Sequence, residues 1–397
     1  MSCPSGQDPE PVVMGPVIEY TTAQADALQA ITAWLDRGEQ VFRLFGYAGT
    51  GKTTLAKEAV RRCEGEVLLA AYTGKAARVL GRACSAPSST IHGLIYSPRE
   101  VTEIVGSERR TRTEWELKDE SPLSNARLLI VDEVSMVDEK IGRDLLGFGV
   151  QILVLGDPFQ LPPVSGNSGF FTRAQPEVML TEVHRHKDDA NLILDLATAI
   201  RRTERWWHRP NVRTDEPDIE DLLGYDVIIC GTHQTRMALN AEIREHLGYT
   251  PDQGPQPGEK LVCDRTDYGV GLLNGAIYTV VSAEEGLDHN GRLTHYRMVL
   301  EDDEGQELRV LSPLEDLSAR SCVDPRAHRG MGCLMYASAI TCHKAQGSQW
   351  DSVMVIDESF TFHRNKDRWL YTAVTRAITN VTVVTRPVEE MPEGYWD

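Results

Sequence analysis

Short apolar runs of strand length recur along the chain, and between them apolar residues return at helical spacing. VFRLFG, EVLLAAY, ARLLIVDE and VQILVLGD form a first set. Alternation of this kind predicts a doubly wound parallel sheet, with ligands held outside the carboxyl ends of its strands. Ahead of the set, TTAQADALQAITAWL places Ala27, Leu28, Ile31 and Leu35 at helical spacing behind Thr21 and Thr22, either of which can cap. A second alternation starts at YDVIICGT, resumes at SAITCHKAQG and DSVMVIDE, and ends with NVTVVT. It predicts a second α/β lobe of the same class.

Two stretches break the pattern and set the expected boundaries. Residues 85–120 turn polar and charged and are read as an inserted hairpin in the first lobe, which itself takes 18–84 and 121–180. Residues 258–332 show strand alternation with NG and EG turns, an all-β insert in a second lobe made of 181–257 and 333–397. Residues 1–17, rich in proline, glycine and acids, are expected to form a loose tail.

Composition narrows the class. A chain of 397 residues exceeds one ordinary core of ~100 to 200 residues. Its longest apolar runs fall far short of the ~20 residues that cross a bilayer, and its start has no basic region followed by an apolar one, so a soluble protein without a membrane partner is expected. Eight cysteines without a CxxC pair indicate neither a zinc site nor a disulfide framework and point to a reducing cytoplasm. The net charge of −18 argues against a global basic field, so any surface for a nucleic acid strand has to be local.

The candidate chemistry starts at GYAGTGKTT, between an apolar run and a helical one. Gly46, Gly51, Lys52 and Thr53 have the spacing of a phosphate-binding loop, completed by Ala48, Gly49, Thr50 and Thr54. The glycines let successive N–H groups face an anion at a helix start, Lys52 reaches the outer phosphates, and the Thr53 hydroxyl suits Mg²⁺. The strand LLIVDEVSM ends in Asp132, suited to hold Mg²⁺ through water, and Glu133, suited to orient or deprotonate an attacking water. The next strand leads to Gln160, a γ-phosphate contact or else part of a proline-rich turn. Arg185 and Arg376 are the arginines suited to charge that builds during phosphoryl transfer, although most arginines are merely solvated.

Eight segments, GYAGTGKTT, AAYTGKAARVL, STIHGLIY, LLIVDEVSM, VLGDPFQLPPV, LTEVHRH, ITCHKAQGSQWDSVMVID and LYTAVTRA, follow one another in the order of the superfamily 1 helicase motifs. The chain resembles the RecD-like and Dda-like branch of subgroup B over about residues 20 to 385. That resemblance implies two RecA-like P-loop lobes with parallel sheets and ATP between them, a pin inserted in the first lobe and an SH3-like insert in the second. It also implies that Gln24 recognises adenine, that Gln160 senses the γ-phosphate, that Arg185 and Arg376 reach the phosphates from the second lobe, and that Gly347 lies in a loop between nucleotide and strand.

A motor on a single strand needs sequence-tolerant phosphate contacts and stacking platforms. Thr73, Lys75, Thr90, His92 and Tyr96 from the first lobe and Thr341, His343 and Lys344 from the second are the candidates, each His or Tyr having an ordinary core reading as well. Arg109, Arg110, Arg112 and Trp115 make the inserted hairpin a candidate wedge with a basic tip, or a solvated decoration. The expected function is an ATP- and Mg²⁺-dependent DNA helicase, a monomer moving 5′ to 3′ on single-stranded and forked DNA alongside replication or recombination proteins, in a bacterial or phage-infected cytoplasm. An RNA-directed motor and an ATP-controlled recruitment subunit are the alternatives.

Overall fold

Successive residues of the first set of apolar runs face opposite sides of one sheet, and helices cover both. The computed structural model describes residues 20–105, 108–163, 169–183, 190–287, 290–314, 317–319 and 331–386. The N-terminal half contributes β1 (Val41–Gly46), β2 (Val67–Ala71), β3 (Ser88–Thr90), β4 (Tyr96–Val105), β5 (Glu108–Leu117), β6 (Leu128–Asp132), β7 (Gln151–Gly156) and β8 (Val178–Leu180). Six of these form a parallel sheet in the order β3-β2-β6-β7-β1-β8.

Phe42, Leu44, Leu128, Ile130, Leu153 and Leu155 pack under Leu28, Ile31, Trp34, Leu55 and Leu80 of three helices on one side. On the other side Leu129, Val131, Ile152 and Val154 meet Ile91, Ile95, Leu145 and Phe171. Burying each such aliphatic side chain is worth roughly 1.5–3 kcal/mol, so both faces must be covered and the strands read as continuous apolar runs. The first helix, Thr22–Arg37, opens with a capping box between Thr21 and Gln24 and stops at Gly38 in the left-handed region.

The second lobe repeats the plan with β9 (Val212–Arg213), β10 (Val227–Cys230), β16 (Ala339–Thr341), β17 (Trp350–Ile356) and β18 (Ala377–Val384), parallel in the order β16-β10-β17-β18-β9. Between β10 and β16 stand β11 (Lys260–Cys263), β12 (Ile277–Leu287), β13 (Leu293–Glu301), β14 (Glu307–Pro313) and β15 (Leu334–Tyr336). These five make an antiparallel sheet in the order β14-β13-β12-β11-β15 with its own core of Leu261, Tyr278, Met298, Leu300 and Leu334.

Three expectations need correction. Ser88–Thr90 pairs with β2 and Ile91–Ile95 packs beneath the sheet, so within 85–120 only the β4–β5 hairpin leaves the lobe. β15 pairs with β11, which carries the insert's sheet past residue 332. Five described cysteines are free thiols, but Cys333 is disulfide-bonded, against the expectation of none. Among the described residues no helix is long and apolar enough to cross a membrane. The tail and Arg185 lie outside the described residues.

Candidate active site

The carboxyl ends of β1, β6 and β7 open on one cavity of about 720 Å³, a size suited to a nucleotide. Ala48, Gly49, Thr50, Gly51, Lys52, Thr53 and Thr54 form one wall. Gly49 and Gly51 have φ of +78° and +89°, and a Cβ at Gly51 would meet the Gln24 amide at 2.5 Å. Only glycine allows that curl. Gly51 precedes the helix Lys52–Arg62 without a side-chain cap, which leaves its first N–H groups for a ligand. Gln24 donates to the Thr50 carbonyl at 3.3 Å and lines the cavity, so the first helix and the loop are fixed together. Lys52 Nζ folds back on the Gly46 and Tyr47 carbonyls at 2.7 and 3.0 Å.

Asp132, Glu133 and Asp157 supply three carboxylates to the same cavity. Burial pushes Asp132 above the usual carboxylate range, against the pull of Lys52. Burial and then the neighbouring Asp132 charge push Glu133 up to about 7, with Arg376 and Lys52 opposing. Burial also raises Asp157. Glu133 sits in the left-handed region at φ +53°, a strained conformation for a non-glycine residue and one that turns it out of the strand into the cavity. The Thr53 hydroxyl and Asp132, beside crowded desolvated acids, are a donor set that fits a hard divalent cation.

The second lobe closes the cavity with Gly347, Ser348, Gln349 and Arg376. Arg376 is 2% exposed and donates to the carbonyls of Thr372 at 3.0 Å and Ser348 at 3.3 Å and to the Thr375 hydroxyl at 3.1 Å. No carboxylate appears among those partners, and the Arg376 charge acts on Glu133 across the cavity that both residues line. Gln160 Oε1 and Ser348 Oγ, both in cavity-lining residues, are buried without a hydrogen-bond partner, a condition that a bound ligand relieves. Gly347, at φ +77°, lies so close to Thr73 that a Cβ would stand 3.1 Å from its hydroxyl.

The candidate strand contacts divide. Thr73 caps the helix Gly74–Cys84 and Thr90 caps Ile91–Ile95, each hydroxyl accepting from the amide three residues on. Thr341 stands at the start of Cys342–Ala345 and its hydroxyl makes no cap bond. His92 is partly buried beside Tyr72, Tyr96 and Trp115, with ring centroids 5.4 to 6.1 Å away, and burial lowers its pKa. His343, packed 5.6 Å from the Phe362 ring, is lowered by burial too. Lys344 pairs with Asp264 and reaches Asn274 of the insert at 3.0 Å.

Two assignments fail on orientation. Tyr96 is 3% exposed, with its hydroxyl bonded to Asp144, so its ring is unavailable for stacking. Lys75 turns into the nucleotide cavity wall, 3.9 Å from Asp303 and over the Trp350 ring at 5.6 Å. In the hairpin Arg109 pairs with Ile104 near the turn and Arg112 with Val101 farther down, whereas Trp115 stands opposite Pro98 at the base and not at the tip. Thr232 had no sequence signal of its own. It caps the helix His233–His246 after β10, the position in the second sheet that β2 and Thr73 hold in the first.

A two-lobed P-loop fold with the nucleotide cavity between the lobes defines a RecA-like nucleoside-triphosphate site. The AAA domain family model matches residues 19–206, and the UvrD-like helicase C-terminal domain model matches 336–384. The ATP-dependent RecD2 DNA helicase of Deinococcus radiodurans is 29% identical over 378 residues, spanning 86% of this chain and 46% of that protein. The ATP-dependent DNA helicase dda of Enterobacteria phage T4 is 32% identical over 197 residues, 46% of this chain and 43% of its own length. A solved structure of Bacteroides Pif1 bound to single-stranded DNA superposes with a TM-score of 0.60 at 20% identity, covering 95% of each chain. The chain is thus similar to ATP-dependent DNA helicases of the RecD2 and Dda kind, and its fold is that of the solved Pif1 structures. It spans less than half the length of these two curated relatives.

Proposed function

We propose that the chain is an ATP-driven motor that tracks single-stranded DNA in the 5′ to 3′ direction and separates duplex strands. The observation that carries this reading is Arg376 of the second lobe entering the cavity that holds Lys52, Asp132 and Glu133 of the first. Charge that builds on the transferring phosphoryl group then draws the lobes together, and its loss lets them part. Lys52 offsets the charge of the outer phosphates. Glu133, with its pKa near neutrality, takes the proton of the attacking water. Gln160 accepts from that water with its unpartnered oxygen, and its side-chain amide N–H is the group suited to donate to the γ-phosphate. Thr53 and Asp132 are the residues that would hold Mg²⁺, which would lower the cost of the phosphate charge.

The strand is gripped at helix starts of both lobes, by Thr73, Thr90 and Thr341, with His92 and His343 beside it. The hairpin, two paired ten-residue strands spanning roughly 30 Å, acts as a wedge at a fork. The chain works as a monomer on forked DNA in replication or recombination, in a bacterial or phage-infected cytoplasm. The test is unwinding of a forked duplex with ATP, on DNA and RNA tracking strands, by the parent and by a variant with residues 102–111 replaced by a tight Asn-Gly turn. The reading expects DNA unwinding by the parent and retained strand-stimulated hydrolysis without unwinding by the variant. Unwinding on RNA alone makes it an RNA motor, and strand binding without unwinding makes it a recruitment subunit.

A further inference from the structure

The helix Lys366–Val374 of the second lobe reaches the first through a side chain that the sequence motifs leave without a role. Tyr371 is 2% exposed, and its hydroxyl accepts from the Ala48 amide at 3.4 Å and donates to Asp157 Oδ2 at 2.6 Å. Ala48 belongs to the phosphate loop, so the hydroxyl stands where an anionic oxygen would otherwise be received.

The same contact fixes the segment after β7. Asp157 Oδ1 accepts from the Phe159 amide at 2.9 Å, and the Phe159 ring meets the Tyr371 ring edge-on at 5.1 Å. The Leu161 amide donates to the Thr372 hydroxyl at 3.0 Å, and Gln346 donates to the Leu161 carbonyl at 3.1 Å. Residues 157–161 are therefore tied at both ends to the second lobe, and between those ties stands Gln160 with its unpartnered oxygen. Residues 371 and 376 lie on one short stretch, so a shift of Tyr371 is a shift of the Arg376 backbone as well.

We infer that Tyr371 is a positioning residue whose hydroxyl is displaced from the Ala48 amide by nucleotide phosphate, and whose bond to Asp157 then sets residues 157–161 and the second lobe for turnover. The inference rests on the cavity being an ATP site. In the nucleotide-free protein the hydroxyl competes with phosphate for one loop amide. In the loaded protein it keeps only the Asp157 partner, and the bond reports phosphate occupancy to the other lobe.

The test compares the full chain with Tyr371→Phe, which keeps the ring, and with Asp157→Asn, which keeps an acceptor oxygen. Equilibrium binding of a fluorescent ATP analogue and steady-state ATP hydrolysis with saturating single-stranded DNA are both read. For Tyr371→Phe the affinity rises about threefold because a competitor is gone, while kcat falls about tenfold because residues 157–161 lose their tie. Asp157→Asn loses less in kcat, and the double variant falls no lower than Tyr371→Phe alone. Unchanged affinity and kcat, weaker binding at unchanged kcat, or weaker binding together with lower kcat would each overturn the inference, the last being what lost packing alone produces. A parent chain that binds nucleotide without hydrolysing it removes the ATPase reading and leaves the affinity comparison to decide on Tyr371. A parent that binds none removes both.

Discussion

Apart from the added β8, the two lobes carry their strands in one order, β3-β2-β6-β7-β1 in the first and β16-β10-β17-β18-β9 in the second, yet they treat anions in opposite ways. After β1 the first lobe places glycines, an uncapped helix start and Lys52. After β9 the second pairs Arg213 with Asp215 and Asp221, and Asp218 caps the helix Ile219–Leu223 from its own side chain. After β10 the Gly231 and Thr232 amides donate to Glu358 at 2.7 and 2.9 Å, so that turn is filled by the protein's own carboxylate. One fold thus offers several anion cradles, and the side chains decide which stays open. On the proposed reading a single nucleotide serves both lobes, since the turn after β10 holds the protein's own carboxylate and the second lobe brings Arg376 to the cavity instead.

The largest expected effects remove one charge from each side of the cavity. Lys52→Ala and Arg376→Ala should each lower strand-stimulated hydrolysis about a thousandfold. They should differ in binding, since Lys52 meets phosphate in the ground state whereas Arg376 acts most in the transition state. Phosphate release and nucleotide affinity check this, and an Arg376→Ala loss confined to affinity would break the division between lobes.

Glu133 comes next. A base with its pKa raised to about 7 makes turnover climb as pH rises from about 6 to about 8. Glu133→Gln should cut hydrolysis by about a hundredfold and retain bound nucleotide. The shift has a stability consequence of fixed sign. The folded state holds this proton more tightly than the unfolded one, so the contribution favours folding at low pH and fades as pH rises from about 4.5 toward about 7. Melting curves above that window should find the Gln variant more stable than the parent.

The smallest effects concern the strand grip, where the lobes are alike. Thr90→Val and Thr341→Val should each weaken strand binding about two- to fivefold by fluorescence anisotropy. Only Thr90 caps its helix, so only Thr90→Val should also cost about 1 kcal/mol of stability.

What was legible in the sequence was local. The phosphate loop, Asp132–Glu133 and the alternating β and α runs each declare themselves within a dozen residues. Ser88–Thr90 was missed because three polar residues at a sheet edge have no apolar pattern to show. Tyr96 and Lys75 were misread because a residue's address in a motif does not give the direction of its side chain. Tyr371, Thr232 and Glu358 were invisible for another reason. Their partners lie far away along the chain, as Asp157 does from Tyr371, and only folding brings them together.

The measurement closest to the central claim is phosphate release by the parent chain with Mg·ATP, with and without single-stranded DNA. If the lobes share one nucleotide and the strand spans both, DNA should raise the rate at least about tenfold by steadying Arg376 against the phosphates. Equal rates with and without the strand would contradict the account, because the cavity would then be working without any link to the surface that grips DNA.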